Sequence, residues 1–232
     1  MALNHKKVSS GSKVLDELLN GGYESGIITT IYGASGTGKS NIGILSAVNL
    51  ARQGKKVVYI DSEGSFSKDR AHQIEEDYEK IIDNIIFLKP TSFQEQIEAV
   101  NEVKEIVNAE SRIGMIIIDS IALLYRLELG EKEDALKTNR AMARLLRTLA
   151  EIARKKELPI LVMNQVYADF QKKQDVKMVG GDLLKYWSKC IVKLESIDAI
   201  KKATVVKHRS IPSGKAAYFE IRNKGLRKVE QV

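Results

Sequence analysis

Apolar positions along the chain fall into short blocks separated by charged segments with helical spacing, so strands and helices alternate. Ile27 to Tyr32 is β-branched and apolar with no polar alternation, the pattern of a strand covered on both faces of a parallel sheet. Val57 to Ile60, Ile85 to Leu88, Met115 to Asp119 and Ile160 to Met163 predict further strands of the same kind. Val14 to Leu19 predicts a short helix closed by Gly21 and Gly22, and Lys39 to Gln53 a longer one ended by Gly54. A charged helix is expected over about Lys68 to Glu79. Ser92 opens another with a Ser-x-x-Glu capping box completed by Glu95, running to about Asn108. Leu136, Ala143, Leu146, Ala150 and Ala153 then recur at helical spacing to about Lys156, and Pro159 stops that helix.

After Gly180-Gly181 the pattern changes. Ile191 to Leu194, Thr204 to Val206 and Tyr218 to Ile221 are short alternating strands, expected as an antiparallel extension of the sheet. No repeat, low-complexity tract or linker interrupts the chain, so residues 1–232 predict one α/β domain with a mostly parallel central sheet flanked by helices.

Composition adds three constraints. Hydrophobic residues are 44% of the 232 positions, enough for a sizeable core. Lys+Arg exceeds Asp+Glu by 37 − 30 = 7, which suits a polyanionic partner without requiring one. Cys190 is the sole cysteine, so no intrachain disulfide can form; at a strand start it suits packing better than redox chemistry. Met1 to Ser12 has no apolar signal region, and the burst Met115 to Ile118 is far short of a membrane span, so a cytoplasmic protein is expected.

The chemistry begins at Gly33-Ala34-Ser35-Gly36-Thr37-Gly38-Lys39-Ser40, which matches G-x-x-x-x-G-K-[ST] between a predicted strand and a predicted helix. Such a loop turns its amides onto phosphate oxygens, and the helix beginning with Lys39, Ser40 and Asn41 points its positive end at the same place. Lys39 supplies a charge for the β- and γ-phosphates of ATP, and Ser40 a ligand for Mg²⁺. Lys39 is expected to stand exposed over an empty loop. Asp119, ending an apolar strand, would orient the magnesium. Glu63 follows Tyr59-Ile60-Asp61-Ser62 at a strand end, where a carboxylate can take the proton of a water attacking the γ-phosphate. Gln165 closes another strand with an uncharged amide suited to sensing that phosphate.

With these pieces in this order the chain resembles the RecA/RadA recombinase family over essentially its whole core. Ser10-Gly11-Ser12-Lys13-Val14-Leu15-Asp16 is similar to the segment before the P-loop of RadA-like proteins, and Ile60-Asp61-Ser62-Glu63-Gly64-Ser65-Phe66 to the strand bearing their catalytic glutamate. Asn164-Gln165-Val166, Gly180-Gly181 and Trp187-Ser188 resemble the flanks of their second DNA-binding loop. The family also has a helical N-terminal DNA-binding domain and a Phe-x-x-Ala hook between protomers. Here only Met1 to Ser12 precede the core and no Phe-x-x-Ala occurs, a pattern that resembles the short archaeal RadB branch. The resemblance implies a RecA-like P-loop core, DNA repair and recombination, DNA binding, weak ATP hydrolysis and little strand exchange. It also implies contacts with RadA and a Holliday-junction resolvase, and a place for Arg70 against adenine.

DNA is expected at two loops. Tyr167 to Val179 offers Tyr167, Phe170, Lys172, Lys173 and Lys177, which combine stacking rings with cations for single-stranded or branched DNA. Tyr125 to Lys137 carries Glu128, Glu131, Glu133 and Asp134 and suits phosphate less well. For Lys207-His208-Arg209 two readings stand: a phosphate grip on DNA, or Lys207 and Arg209 acting together across a subunit interface on a neighbour's γ-phosphate, as in KaiC-type ATPases. Without the hook, a homodimer or short oligomer is expected. A KaiC-like signalling ATPase and a full strand-exchange recombinase remain as alternatives.

Overall fold

The computed structural model describes residues 6–129, 132–168, 176–178 and 180–230, with 132–134, 167–168 and 176–178 as backbone. In chain order the elements are β1 (Lys7–Val8), α1 (Lys13–Leu18), β2 (Tyr23–Glu24), β3 (Ile28–Gly33), α2 (Lys39–Arg52), β4 (Lys56–Asp61) and α3 (Lys68–Ile74). Then come β5 (Ile85–Leu88), α4 (Phe93–Ala109), β6 (Ile113–Asp119), α5 (Leu123–Glu128), α6 (Lys132–Lys156), β7 (Ile160–Ala168) and β8 (Val176–Met178). The chain closes with α7 (Gly181–Trp187), β9 (Cys190–Ile197), β10 (Ile200–Lys207), β11 (Ala216–Arg222) and β12 (Gly225–Val229).

One sheet runs β12-β11-β10-β9-β3-β7-β6-β4-β5. Strands β9, β3, β7, β6, β4 and β5 are mutually parallel, and β10, β11 and β12 continue the sheet antiparallel. The apolar runs behave as two-faced strands. Val58, Ile60, Ile116, Ile118, Ile160 and Val162 enter the core beneath α4, α5, α6 and α7, while Val57, Tyr59, Met115, Ile117, Leu161 and Met163 enter the opposite core with α1 and α2. Cys190 packs in that second core, and burial pushes its thiol up to about 12, out of reach of redox chemistry at neutral pH. At α4, the Ser92 hydroxyl accepts the Glu95 N–H at 3.1 Å while the Glu95 carboxylate accepts from Thr91, as the capping box predicts. Among the described residues no helix is long and apolar enough to cross a membrane.

Several expected boundaries change. The charged helix stops at Ile74, and two 3₁₀ turns follow (Tyr78–Lys80 and Ile82–Asn84), because the chain bends to bury Tyr78 against the rings of Phe66 and His72. The described residues between Tyr125 and Lys137 are largely helical rather than a loop. Buried Leu124 and Tyr125 anchor α5, Tyr125 donates to Asn139 at 2.5 Å, and α6 begins at Lys132 rather than Leu136. Ile191 to Leu194 belongs to the parallel part of the sheet, since β9 runs alongside β3, and the antiparallel extension starts only at β10. The sequence patterning missed β1, β2 and β12, which are short or polar.

Candidate nucleotide-binding and hydrolysis site

The register of the sheet assembles the site. Gly33 lies opposite Gln165 on one side and Leu194 on the other, and Asp61 lies opposite Asp119. P-loop, Glu63, Asp119 and Gln165 therefore meet at the C-terminal ends of the parallel strands, where such sheets place their ligands.

The loop needs its glycines for different reasons. Gly36 and Gly38 have φ of +75° and +99°, the left-handed region that a side chain disfavours. Gly33 has no such torsion; a Cβ there would lie 2.4 Å from the Leu194 carbonyl oxygen and 2.8 Å from Thr37 Oγ1. Thr37 braces the turn by donating to the Ala34 carbonyl at 2.8 Å. Gly38 caps α2, whose first turn carries no acidic residue to cancel its positive end.

The expectation of an exposed Lys39 is corrected. The residue is only 8% exposed, and its ammonium donates to the carbonyls of Gly33 at 3.0 Å and Ala34 at 2.8 Å. The charge is thus folded back onto the loop. Burial lowers its pKa, countered by the carboxylates of Glu63 and Asp119.

Asp119 is buried and accepts from Ser65 Oγ at 2.6 Å and Tyr59 Oη at 3.3 Å. Burial raises its pKa, and bonds from the Ser65 and Ser40 hydroxyls oppose that rise. Ser40 and Asp119 thus already stand together, as a shared magnesium would require; a hydroxyl and a carboxylate match the oxygen-only ligation of that ion. Glu63 is half-buried. Both its oxygens accept from Gln165 Nε2, at 2.9 and 2.8 Å, and one also accepts from the Ser120 hydroxyl. Ser120 is itself fixed: its N–H donates to Ser62 Oγ at 3.0 Å, and its carbonyl accepts from Ser62 Oγ and Gln96 Nε2.

Sequence reasoning missed this supporting ring of Asp61, Ser62, Ser65, Gln96 and Ser120. Only part of it had a signal. Asp61 accepts the N–H groups of Ser65 at 2.9 Å and Phe66 at 3.2 Å, and the run Asp61-Ser62-Glu63-Gly64-Ser65 has the composition of a turn. Arg70 lies at the rim, where its guanidinium donates to the carbonyls of Arg222 and Asn223 at 2.8 and 2.9 Å. It fastens α3 to the β11–β12 turn, and Ile221 of that hairpin abuts Gly38. Asn41 sits in the first turn of α2, half-exposed.

The DNA candidates divide. Tyr167 and Lys177 pair across the β7–β8 ribbon, so the expected second loop is partly a hairpin. Phe170, Lys172 and Lys173 lie outside the described residues. Lys207 pairs with Ile191 at the N-terminal end of β9, the end of the sheet opposite the P-loop. The expectation that Lys207 and Arg209 project together fails, because β10 ends at Lys207. Lys207 turns to the Lys185 carbonyl, while Arg209 donates from Nε and a terminal nitrogen to the buried carboxylate of Glu24. His208 is turned inward with its side chain 2% exposed, 3.9 Å from Glu24, and burial lowers its pKa, so it offers no cation to a phosphate at neutral pH. Arg209→Ala removes two charge-assisted bonds from the buried Glu24 carboxylate, and we expect a loss of about 1–3 kcal/mol, a fall in Tm of about 2–12 °C at this size. Adding Glu24→Gln should restore part of it in a thermal melt; a Tm unmoved by Arg209→Ala would show that the pair contributes nothing.

The comparisons with known proteins follow this geometry. The family model described as Rad51 matches residues 4–229. A protein named DNA repair and recombination protein RadB from Methanobrevibacter smithii is 41% identical over 229 residues, 96% of each chain. One of the same name from Methanococcus maripaludis is 43% identical over 92% of this chain and 97% of its own. Among solved structures, one titled as the crystal structure of the RadB recombinase superimposes with a TM-score of 0.80 at 32% identity, covering 96% of this chain and 99% of that one. Agreement over nearly the full length, through the C-terminal antiparallel strands as well as the P-loop, means that this chain belongs to the Rad51 family.

Proposed function

We propose that the protein is an ATP- and DNA-binding accessory factor in DNA repair and homologous recombination, with slow ATP hydrolysis and little or no strand exchange. One observation carries the reading: Gln165, on β7, holds both oxygens of Glu63, and the same strand continues into the β7–β8 ribbon that bears Tyr167 and Lys177. A γ-phosphate that draws Gln165 away would release the base and shift the ribbon at the same moment. The names of the relatives support the repair and recombination role.

In this reading the loop amides and Lys39 bind the phosphates, and magnesium, held by Ser40 and Asp119, supplies charge neutralisation there. Glu63, oriented by Ser120, accepts the proton of the attacking water, Gln165 meets the γ-phosphate, and Arg70 borders the base side. The whole chain acts as one ATPase unit. Slow hydrolysis follows from a site that a neighbour must complete. We take the working form to be a homodimer or short oligomer with Lys207 on the interface, and RadA and a Holliday-junction resolvase as its partners.

The test is binding of a labelled single-stranded oligonucleotide over a salt series, with and without ATP. Affinity should rise with ATP and fall with salt. Neutralising Lys172, Lys173 and Lys177 together should flatten the slope of log affinity against log salt by about 0.7 for each phosphate that is no longer neutralised. A parent protein that binds no DNA at low salt favours the signalling-ATPase alternative, and an unchanged slope in the triple variant moves the DNA site off this ribbon.

A further inference from the structure

A cavity of about 700 Å³ opens at the end of the sheet opposite the P-loop. Its floor is the start of β3, at Gly26 to Ile28, and Lys189 at the start of β9 borders it. From Ile28 to Gly33 is five strand steps, roughly 17 Å, so a nucleotide on this chain's P-loop cannot occupy it. The size falls within the range of small-molecule sites, about 300–1,000 Å³.

Three features of its wall point to one ligand chemistry. The first is charge: Lys6, Arg154 and Lys189 line it beside Arg209, against the single carboxylate of Glu157. The second is a buried hydroxyl. Ser25 is 7% exposed and its Oγ has no hydrogen-bond partner among the described residues, while its N–H is used by the Lys6 carbonyl at 2.8 Å. A donor left unpaired in this way is costly unless something in the cavity takes it. The third is an aromatic wall. Tyr186 and Trp187, at the end of α7, meet edge to face with centroids 5.3 Å apart, and Tyr186 is 70% exposed. Cations alone would suit any anion; cations beside an uncovered aromatic face suit an anion that carries a flat ring.

We propose that this cavity is a second site, distinct from the P-loop, for one nucleotide unit: a base against Tyr186 and Trp187, and a phosphate held by Arg154, Lys189 and the Ser25 hydroxyl. Lys6 closes the rim. A free mononucleotide and a nucleotide within a single strand present the same chemistry, and the experiment separates them. The site does not depend on the nucleotide and ribbon roles proposed above.

Trp187 is the only tryptophan in the chain and lines this cavity, so its fluorescence reports on the cavity wall, and the Arg154 and Lys189 substitutions assign a response to it. The measurement uses the full chain carrying Lys39→Ala, which silences the P-loop, and titrates thymidine monophosphate, a short oligothymidylate and inorganic phosphate. We expect saturable quenching by the nucleotide or the oligonucleotide, with phosphate alone far weaker. A response to the mononucleotide identifies a small-molecule site, and a response confined to the oligonucleotide identifies a strand contact. Arg154→Ala and Lys189→Ala should each weaken binding roughly tenfold or more, as loss of a charge-assisted hydrogen bond does. Ser25→Ala should weaken binding while raising the Tm of the empty protein, because an unpaired buried hydroxyl is removed. Quenching by neither nucleotide, an affinity unmoved by the two cation substitutions, or phosphate binding as tightly as the nucleotide each overturns the proposal. In the first case the aromatic wall is left for a protein partner.

Discussion

Lys39→Ala is expected to weaken ATP binding by roughly 30-fold or more, since removing one partner of a desolvated charge pair costs at least about 2 kcal/mol. Hydrolysis should fall with it. The structure adds a second effect that an exposed lysine would not have. The ammonium bridges the carbonyls of Gly33 and Ala34, so its loss takes a donor from each, although Ala34 keeps the Thr37 hydroxyl. The variant should lose about 1–2 kcal/mol of stability, a fall in Tm of about 2–8 °C, while remaining folded. Calorimetric titration with ATP and a thermal melt separate the two. A folded variant with parental ATP affinity would remove the P-loop assignment altogether.

Glu63→Gln should behave differently. The amide keeps the length and volume of the carboxylate but cannot take a proton, so ATP binding should persist while turnover falls by about 10²–10⁴-fold, the span typical of a lost general base. The local geometry explains why binding survives. Gln165 Nε2 donates to both Glu63 oxygens, and after the substitution a rotation of the Gln165 side-chain amide presents its oxygen to the new N–H₂. Ser120 keeps an acceptor. Single-turnover hydrolysis with saturating ATP is the measurement that matters, because it isolates the chemical step from release. Parental turnover in this variant would show that Glu63 is not the base.

The two variants also divide the proposed coupling. Lys39→Ala weakens ATP binding, so at ATP concentrations that just saturate the parent the gain in DNA affinity should vanish. Glu63→Gln holds ATP unhydrolysed, so the gain should persist for longer. Opposite behaviour in the two is what a single strand linking phosphate sensor and ribbon requires.

The sequence alone determined the elements whose physics is local. Five apolar runs with no alternation could only be strands covered on both faces. G-x-x-x-x-G-K-[ST] between strand and helix reads as a phosphate loop. Asp119, Glu63 and Gln165 were legible because each ends such a run, and parallel strands bring their C-terminal ends to one edge. What lay beyond reach depended on contacts between residues far apart in the chain. Nothing near Lys39 in sequence says that it is buried, because its burial comes from the closed loop around it. Ser120 and Gln96 carry no pattern of their own; only the packing of α4 on β6 brings Gln96 to the Ser120 carbonyl, 24 residues away. Lys207 and Arg209 looked like a strand pair because alternation is a rule for strands, and it lapsed where β10 ended and Glu24, 185 residues earlier, captured the arginine. Local periodicity selects the strands and helices, but which polar side chains find one another is decided only when the sheet order sets their distances.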